Sequence, residues 1–269
     1  MHTITIKNKN MLKLLKEGII SYLPGGDTKH TFLLQHQENN YVLRIFKNKD
    51  TADYYVAICK KLFTYNFLPS IYGQHGKKVL FEYIKGRDCK KQDASRVALQ
   101  VGRICAFINK LKNKNPYNAD KRFFSYITTL KNKKVIATEK ALDIKKLYLS
   151  LKKKVRPKIT LDANDVYPGN FRLRKGKVYL VDIEAIKPLF KGYGIAKSFI
   201  RWFKTPKQRE KLKEGYTSVA PINFLTADYL QFLYLSFLVR SIALKLRLPT
   251  PLNVEDLQRL NRLLEGTLK

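Results

Sequence analysis

LDANDVYPGNFRLRKGKVYLVDIE, residues 161–184, runs from a polar loop into two short β-type segments that turn at Lys175-Gly176. The loop carries Asp165 and, five positions on, Asn170; Asp182 follows twelve residues later in the strand-like run VYLVDIE. A hairpin returns the chain to where its loop began, so these three oxygen-bearing side chains can converge on one point. Asn170 and Asp182 suit Mg2+, a hard cation that keeps several waters and takes its remaining ligands from phosphate oxygens. Asp165 is then free to accept the proton of a substrate hydroxyl as that oxygen attacks a terminal phosphate, a reaction resting on positioning and charge neutralisation.

Working outward, Gly18 to Phe46 holds the runs GIISYL, TFLLQH and NYVLRIF, separated by the turn-forming PGGDTK and QENN. That pattern predicts an antiparallel meander. Val56, Cys59, Leu62 and Phe63 then fall at helical spacing within residues 50–63, and VLFEYI, residues 79–84, returns to strand character. After Gly86 the period changes: Val97, Val101, Ile104, Phe107, Ile108 and Leu111 mark a long amphipathic helix with Asp93 or Ser95 near its start. Helical patterns follow over residues 194–203, 206–216, 227–246 and 254–264. The expectation is an α+β chain with an antiparallel β-rich lobe over residues 1–85 and a mainly helical lobe over 86–269. No repeat or Ser/Gly-rich linker separates them, so the lobes are expected to touch across a cleft.

The chain has 269 residues, with 53 Lys and Arg against 21 Asp and Glu, a formal charge of +32. At 45% hydrophobic and 12% aromatic it is too apolar for a disordered polycation and should bury a core. The charge would attract nucleotides, nucleic acid or an anionic membrane face. Plentiful Lys, Asn, Ile and Tyr could equally supply the excess with no dedicated partner. Residues 131–158 hold eleven Lys and Arg against Glu139 and Asp143, which reads as a solvated helical face ahead of a polyanion site. Cys59, Cys89 and Cys105 have neither zinc nor dense disulfide spacing and read as reduced packing thiols of a cytoplasmic protein. The start, MHTITIKNKNMLKLLKEG, lacks the signature of a signal peptide. Tyr229 to Val239 is too short an apolar run to cross a bilayer, although basic faces could hold the chain at the inner membrane face. His2, His30, His36 and His75 all precede the helical part without metal spacing, which removes hydrolytic triads and zinc chemistry; the Gly-Lys-Ser/Thr phosphate loop is also absent.

The set Ala163-Asn164-Asp165, Pro168-Gly169-Asn170 and Asp182-Ile183-Glu184 resembles the aminoglycoside phosphotransferase and choline kinase branch of the protein-kinase-like fold. Relatives there show His-Gly-Asp, Pro-Gly-Asn and an Asp opening Asp-aromatic-Glu. The resemblance covers about Leu15 to Tyr216. It implies ATP and Mg2+ as cofactors, Asp165 as catalytic base, and Asn170 and Asp182 as metal ligands. It also implies that Arg44 in YVLRIF grips nucleotide phosphates and that Asp53 is the acidic helix residue steadying it. Glu82 and Ile84 would offer backbone groups to an adenine edge, and Gly25 and Gly26 would lie in a phosphate-covering loop. A cross-strand Arg, an edge strand and a hairpin turn are the ordinary readings of those same three segments. Two positions depart from the pattern. Ala163 replaces the usual His, and Gly194-Ile195-Ala196 stands where relatives place an Asp that buttresses the catalytic loop, which implies a different support for that loop or a pseudokinase.

With few carboxylates outside this set, the acceptor is expected to be a neutral or anionic alcohol of a small molecule or glycolipid rather than a cationic drug. The Gly-Asn-Phe, Lys-Gly hairpin and strand ending in Asp also resemble lipopolysaccharide-core sugar kinases. The rival expectation is a nucleic-acid-binding or scaffold protein on a kinase-like frame, using the basic surface.

Overall fold

The computed structural model describes residues 8–23, 30–113, 117–247 and 254–267, with side chains described from Met11. In chain order the elements are α1 (Asn8–Glu17), β1 (Ile19–Tyr22), β2 (Thr31–His36), β3 (Asn39–Ile45), α2 (Lys49–Leu62), β4 (Ile71–His75), β5 (Lys78–Glu82) and β6 (Arg87–Asp88). Three helices follow, α3 (Ala94–Asn109), α4 (Ala119–Asn132) and α5 (Thr138–Val155). Strands β7 (Ile159–Ala163), β8 (Phe171–Arg174), β9 (Lys177–Leu180) and β10 (Ile186–Phe190) come next. The chain closes with α6 (Tyr193–Arg201), α7 (Pro206–Thr217), α8 (Ala227–Lys245) and α9 (Val254–Leu264). Two compact units result, one strand-rich and one mainly helical. The first holds the described residues up to Lys91 together with Pro168–Glu184, and the second holds Gln92–Tyr167 and the described residues from Ala185 on. The hairpin that the sequence reading put in the helical part therefore packs in the strand-rich unit.

In the first unit an antiparallel sheet runs in the order β1-β2-β3-β5-β4. Leu34, Leu43 and Leu80 on one face bury Met11 and Leu14 of α1, a lysine-rich helix whose apolar stripe needs this cover. Asn48 caps α2 by accepting from the Thr51 N–H, and the helix buries Tyr55, Val56, Ile58, Cys59 and Leu62. A second sheet, β6-β8-β9, contains the expected hairpin. Lys175 and Gly176 sit at φ of 47° and 80°, the left-handed pair that a two-residue turn requires. Leu180 N–H donates to the Phe67 carbonyl at 2.8 Å, fastening the hairpin to the segment after α2. The strand stops at Leu180, so Asp182 is not a strand residue as expected; it lies just beyond the ladder, before a short 3-10 turn at Ile183–Ala185.

In the second unit α8 is apolar around its whole circumference and is buried from Phe232 to Val239. It packs against α4, α5, α6 and α9. Thr226 caps α8, and Thr205 with Gln208 forms a capping box on α7. Helices α3 and α7 approach through two glycines: a Cβ on Gly102 would stand 2.0 Å from the Leu212 carbonyl oxygen, and one on Gly215 1.9 Å from that of Leu99. The three cysteines are free and buried. Among the described residues no helix is long and apolar enough to cross a membrane.

Because both glycine contacts are to backbone, neither can be relieved by a side-chain rotation. Gly215→Ala is expected to lower unfolding free energy by about 3 kcal/mol, read as a lower urea midpoint. Gly169→Ala, whose added methyl meets nothing within 4 Å, should stay within about 0.5 kcal/mol of the parent. Equal midpoints for the two variants would contradict the close helix approach.

Candidate functional site

Strand alternation decides where Arg44 points. Leu43 faces the α1 core, so Arg44 lies on the other face of β3. There its Nε donates to Thr31 Oγ1 at 3.3 Å, and its Nη1 donates to Asp182 Oδ1 at 3.2 Å and lies 3.7 Å from Glu184 Oε2. The Arg44 side chain is only 12% exposed, and its guanidinium meets two carboxylates that the sequence places 138 and 140 positions away. Tyr55 donates its hydroxyl to the Glu184 carbonyl at 3.4 Å, and burial raises its pKa. The hairpin ladder ends with Phe171 opposite Leu180; beyond it Val181 N–H donates to the Asn170 carbonyl at 2.9 Å. Asn170 and Asp182 are thus brought together at the open end of one hairpin, with Arg44 holding the carboxylate. An amide oxygen and a carboxylate are hard donors that fit Mg2+. Among the described residues no group of three or more His, Cys, Asp and Glu gathers as a metal site.

The expected pairing of Asp53 with Arg44 does not occur. Asp53 instead accepts from Lys49 Nζ one turn earlier at 2.7 Å and from Gln74 Nε2 at 2.6 Å. These contacts lower its pKa, the Lys49 hydrogen bond most. Asp182 and Glu184 steady Arg44 in its place. Asp53 lines a cavity of about 510 Å³ between α2 and β4, which among the described residues contains none of the other expected site residues. Glu82 closes β5, its N–H donating to the Ser70 carbonyl at 2.8 Å, and the Ile84 carbonyl accepts from Arg172 Nη1 at 3.2 Å. The Glu82 N–H is therefore already engaged in the sheet. Gly25 and Gly26 lie outside the described residues.

Asp165 belongs to the second unit. Strand β7 leads into its loop and pairs antiparallel with β10, Ala163 opposite Ile186. Asp162, 2% exposed, is the anchor. Its carboxylate accepts from Gly192 N–H at 2.7 Å, Gly194 N–H at 2.8 Å and Asn109 Nδ2 at 2.8 Å; Asn109 in turn accepts from the Tyr216 hydroxyl at 3.1 Å. Burial pushes the Asp162 carboxyl up to about 6, against the opposing pull of the Asn109 and glycine hydrogen bonds. At Gly194 a Cβ would stand 1.9 Å from the Ala163 carbonyl oxygen. The two departures from the expected motif, Ala163 and Gly194, thus meet each other, and Asp162 with the start of α6 supports the loop.

Asp165 itself, 38% exposed on its side chain, forms an ion pair with Lys197 of α6. Burial lowers the Lys197 pKa, with the Asp165 charge acting the other way. Next to it, Asn164 Oδ1 accepts from Arg240 Nη1 at 2.5 Å, and Arg240 also reaches the Tyr193 hydroxyl at 3.5 Å.

Four contributors were not singled out from sequence: Asp162, Glu184 as a partner of Arg44, Lys197 and Arg240. Arg240 carried a readable signal, since it ends the apolar run from Tyr229 to Val239. Asp162 is a charge in the otherwise apolar start of the decisive stretch. Lys197, one lysine among many, carried none.

Asp162→Asn should cost about 1–3 kcal/mol at pH 5, because an amide nitrogen would face backbone donors. A carboxyl whose pKa is raised on folding stabilises most below its ordinary value of 3.8 and loses that contribution as pH rises through about 6. The stability gap between parent and variant should therefore narrow between pH 4.5 and 7.5 in urea titrations. A gap that widens would contradict this account.

No family model matches the chain, and no curated protein matches it at a significant level. Solved structures do. Choline kinase LicA from Streptococcus pneumoniae aligns over 96% of both chains with a TM-score of 0.70 and 14% identity. An ethanolamine kinase of Plasmodium vivax aligns over 97% of this chain and 86% of its own, with a TM-score of 0.68 and 14% identity. Spectinomycin phosphotransferase APH(9)-Ia, in complex with ADP and spectinomycin, aligns over 97% and 98% with a TM-score of 0.65 and 13% identity. The chain has the protein-kinase-like fold that these small-molecule kinases and antibiotic phosphotransferases share.

Proposed function

We infer that the protein is an ATP-dependent phosphotransferase acting on an alcohol. The observation that carries this reading is the bond of Arg44 to Asp182, at the open end of the hairpin that also carries Asn170. It brings the strand cation expected on the phosphates beside the hairpin carboxylate expected on the metal. The near-full-length likeness to kinases, some of them solved with AMP or ADP, supports the same class. In this reading Arg44 binds nucleotide phosphates with a forked donor set. Asn170 and Asp182 would hold Mg2+, which when bound neutralises charge on the triphosphate. Asp165 takes the proton of the acceptor hydroxyl while that oxygen bonds to the γ-phosphorus and the bond to the β,γ-bridging oxygen breaks, leaving ADP. Lys197 holds the Asp165 carboxylate in place until the acceptor arrives. The acceptor is a neutral or anionic alcohol, a lipopolysaccharide-core-type sugar among the candidates.

The basic-surface alternative gains no support. Residues 131–158 lie on the end of α4 and on α5, with Lys152 paired to Asp120 at 2.5 Å and Lys154 to Asp228 at 2.7 Å. The exposed remainder is a solvated helix face.

Asp165→Asn is expected to keep Mg·ATP-analogue binding and lower turnover by about 10²–10⁴-fold. Asp182→Asn should instead weaken binding about tenfold or more, near 1.4 kcal/mol. Calorimetry with a non-hydrolysable analogue, beside a screen of sugars, lipids and small alcohols with labelled ATP, reads both. Unchanged turnover in the Asp165 variant would remove it as the base.

A further inference from the structure

The acceptor's chemistry is open in the phosphotransfer reading, on which any assignment of the acceptor's charge rests. The Asn164-Asp165 pair is flanked by two cations. Lys197 on α6 pairs with Asp165, and Arg240 on α8 donates Nη1 to Asn164 and Tyr193. Arg240 interrupts the apolar run of α8, and Lys197 Nζ lies 5.7 Å from the centroid of the Phe237 ring. They are not equally answered. Among the described residues no carboxylate lies within 4.0 Å of Arg240, and its Nε and Nη2 donate to no protein acceptor. Lys197 has the carboxylate of Asp165 alone, the group that must be free to take a proton. The neighbouring Arg201 differs, since its charge is met by the fully buried Asp256.

Partly buried cations are stable when paired. Two of them beside one carboxylate leave an excess positive charge at the reacting loop. Choline and ethanolamine, named for the similar kinases, are themselves cations and would meet like charge here. We propose that Lys197 and Arg240 recognise an anionic group, carboxylate or phosphate, on the acceptor alcohol. The acceptor's anion replaces Asp165 as the partner of Lys197 and takes the spare donors of Arg240. The released carboxylate then accepts the hydroxyl proton.

The test monitors the Arg240 side-chain Nε–H signal by NMR in the full-length chain during titration with inorganic phosphate or with acetate, each with and without saturating Mg·AMP-PNP. A saturable shift is expected, with affinity weakened at least tenfold in Lys197→Met and in the milder Lys197→Gln. The phosphate and acetate arms separate the two anion types. No saturable shift, or equal affinity in parent and folded variants, overturns the proposal. Lack of AMP-PNP binding would sink the phosphotransfer reading while leaving the anion titration interpretable. As a second readout, labelled ATP is offered with glycerol, glycerate, glycerol 3-phosphate and choline. Transfer favouring the anionic members at least tenfold in kcat/KM supports the proposal, and transfer favouring glycerol or choline overturns it. Where none of the four accepts phosphate, the titration alone decides.

Discussion

The buried carboxylate of Asp162 ties together the strand before the Asp165 loop, α3 and the start of α6. A desolvated carboxylate is tolerated only with its oxygens engaged, and here three donors come from two elements: Asn109 on α3 and the N–H groups of Gly192 and Gly194 at the start of α6. A helix N-terminus is a natural partner for that charge. This junction sets where α6 begins relative to the loop. Lys197 then falls one turn beyond Gly194 and meets Asp165. The absence of a side chain at Gly194 is what lets the Ala163 carbonyl come so close. Ala163 and Gly194 are therefore two parts of one arrangement, in which support for the loop comes from the residue before Ala163 instead of from the usual His and Asp.

In the first unit the equivalent constraint is the backbone ladder of β8 and β9. It fixes which residues emerge at the open end, so that Asn170 and Val181 are joined by a main-chain bond and Asp182 follows at once. Arg44 reaches the same carboxylate from β3 because strand alternation turns it away from the α1 core. Neither helix propensity nor the protein's large net charge enters this geometry. The excess of lysine lies mostly on solvated faces, whereas the cations at the candidate site are partly buried and specifically engaged.

Much of this was legible in the sequence because it is written locally. The meander, the hairpin at Lys175-Gly176, and the four last helices have strong periodicity or turn chemistry, and each appears within a few residues of its expected bounds. Three features were hidden. Helix α1 is rich in lysine, and its stripe of Met11 and Leu14 has meaning only against the sheet it covers. The ribbon of β7 and β10 joins short runs separated by an entire hairpin, so its pairing is a tertiary fact. Resemblance makes Asp53 the partner of Arg44, but a short side chain four positions from Lys49 on an exposed helix face pairs locally first. The motif residues Asp165, Asn170 and Asp182 stand out by spacing; Arg240 is marked only as the charge that ends an apolar run, and Lys197, on a distant helix, is marked by nothing.

The central claim is that an amide and a carboxylate at the mouth of one hairpin take a divalent ion with a nucleotide. Diffraction from crystals grown with Mn2+ and AMP-PNP, using the manganese anomalous signal, tests it most directly. The account predicts an anomalous peak within coordination distance of Asn170 Oδ1 and the Asp182 carboxylate, touching phosphate oxygens. A nucleotide bound with its metal elsewhere, or a peak away from both side chains, would contradict it.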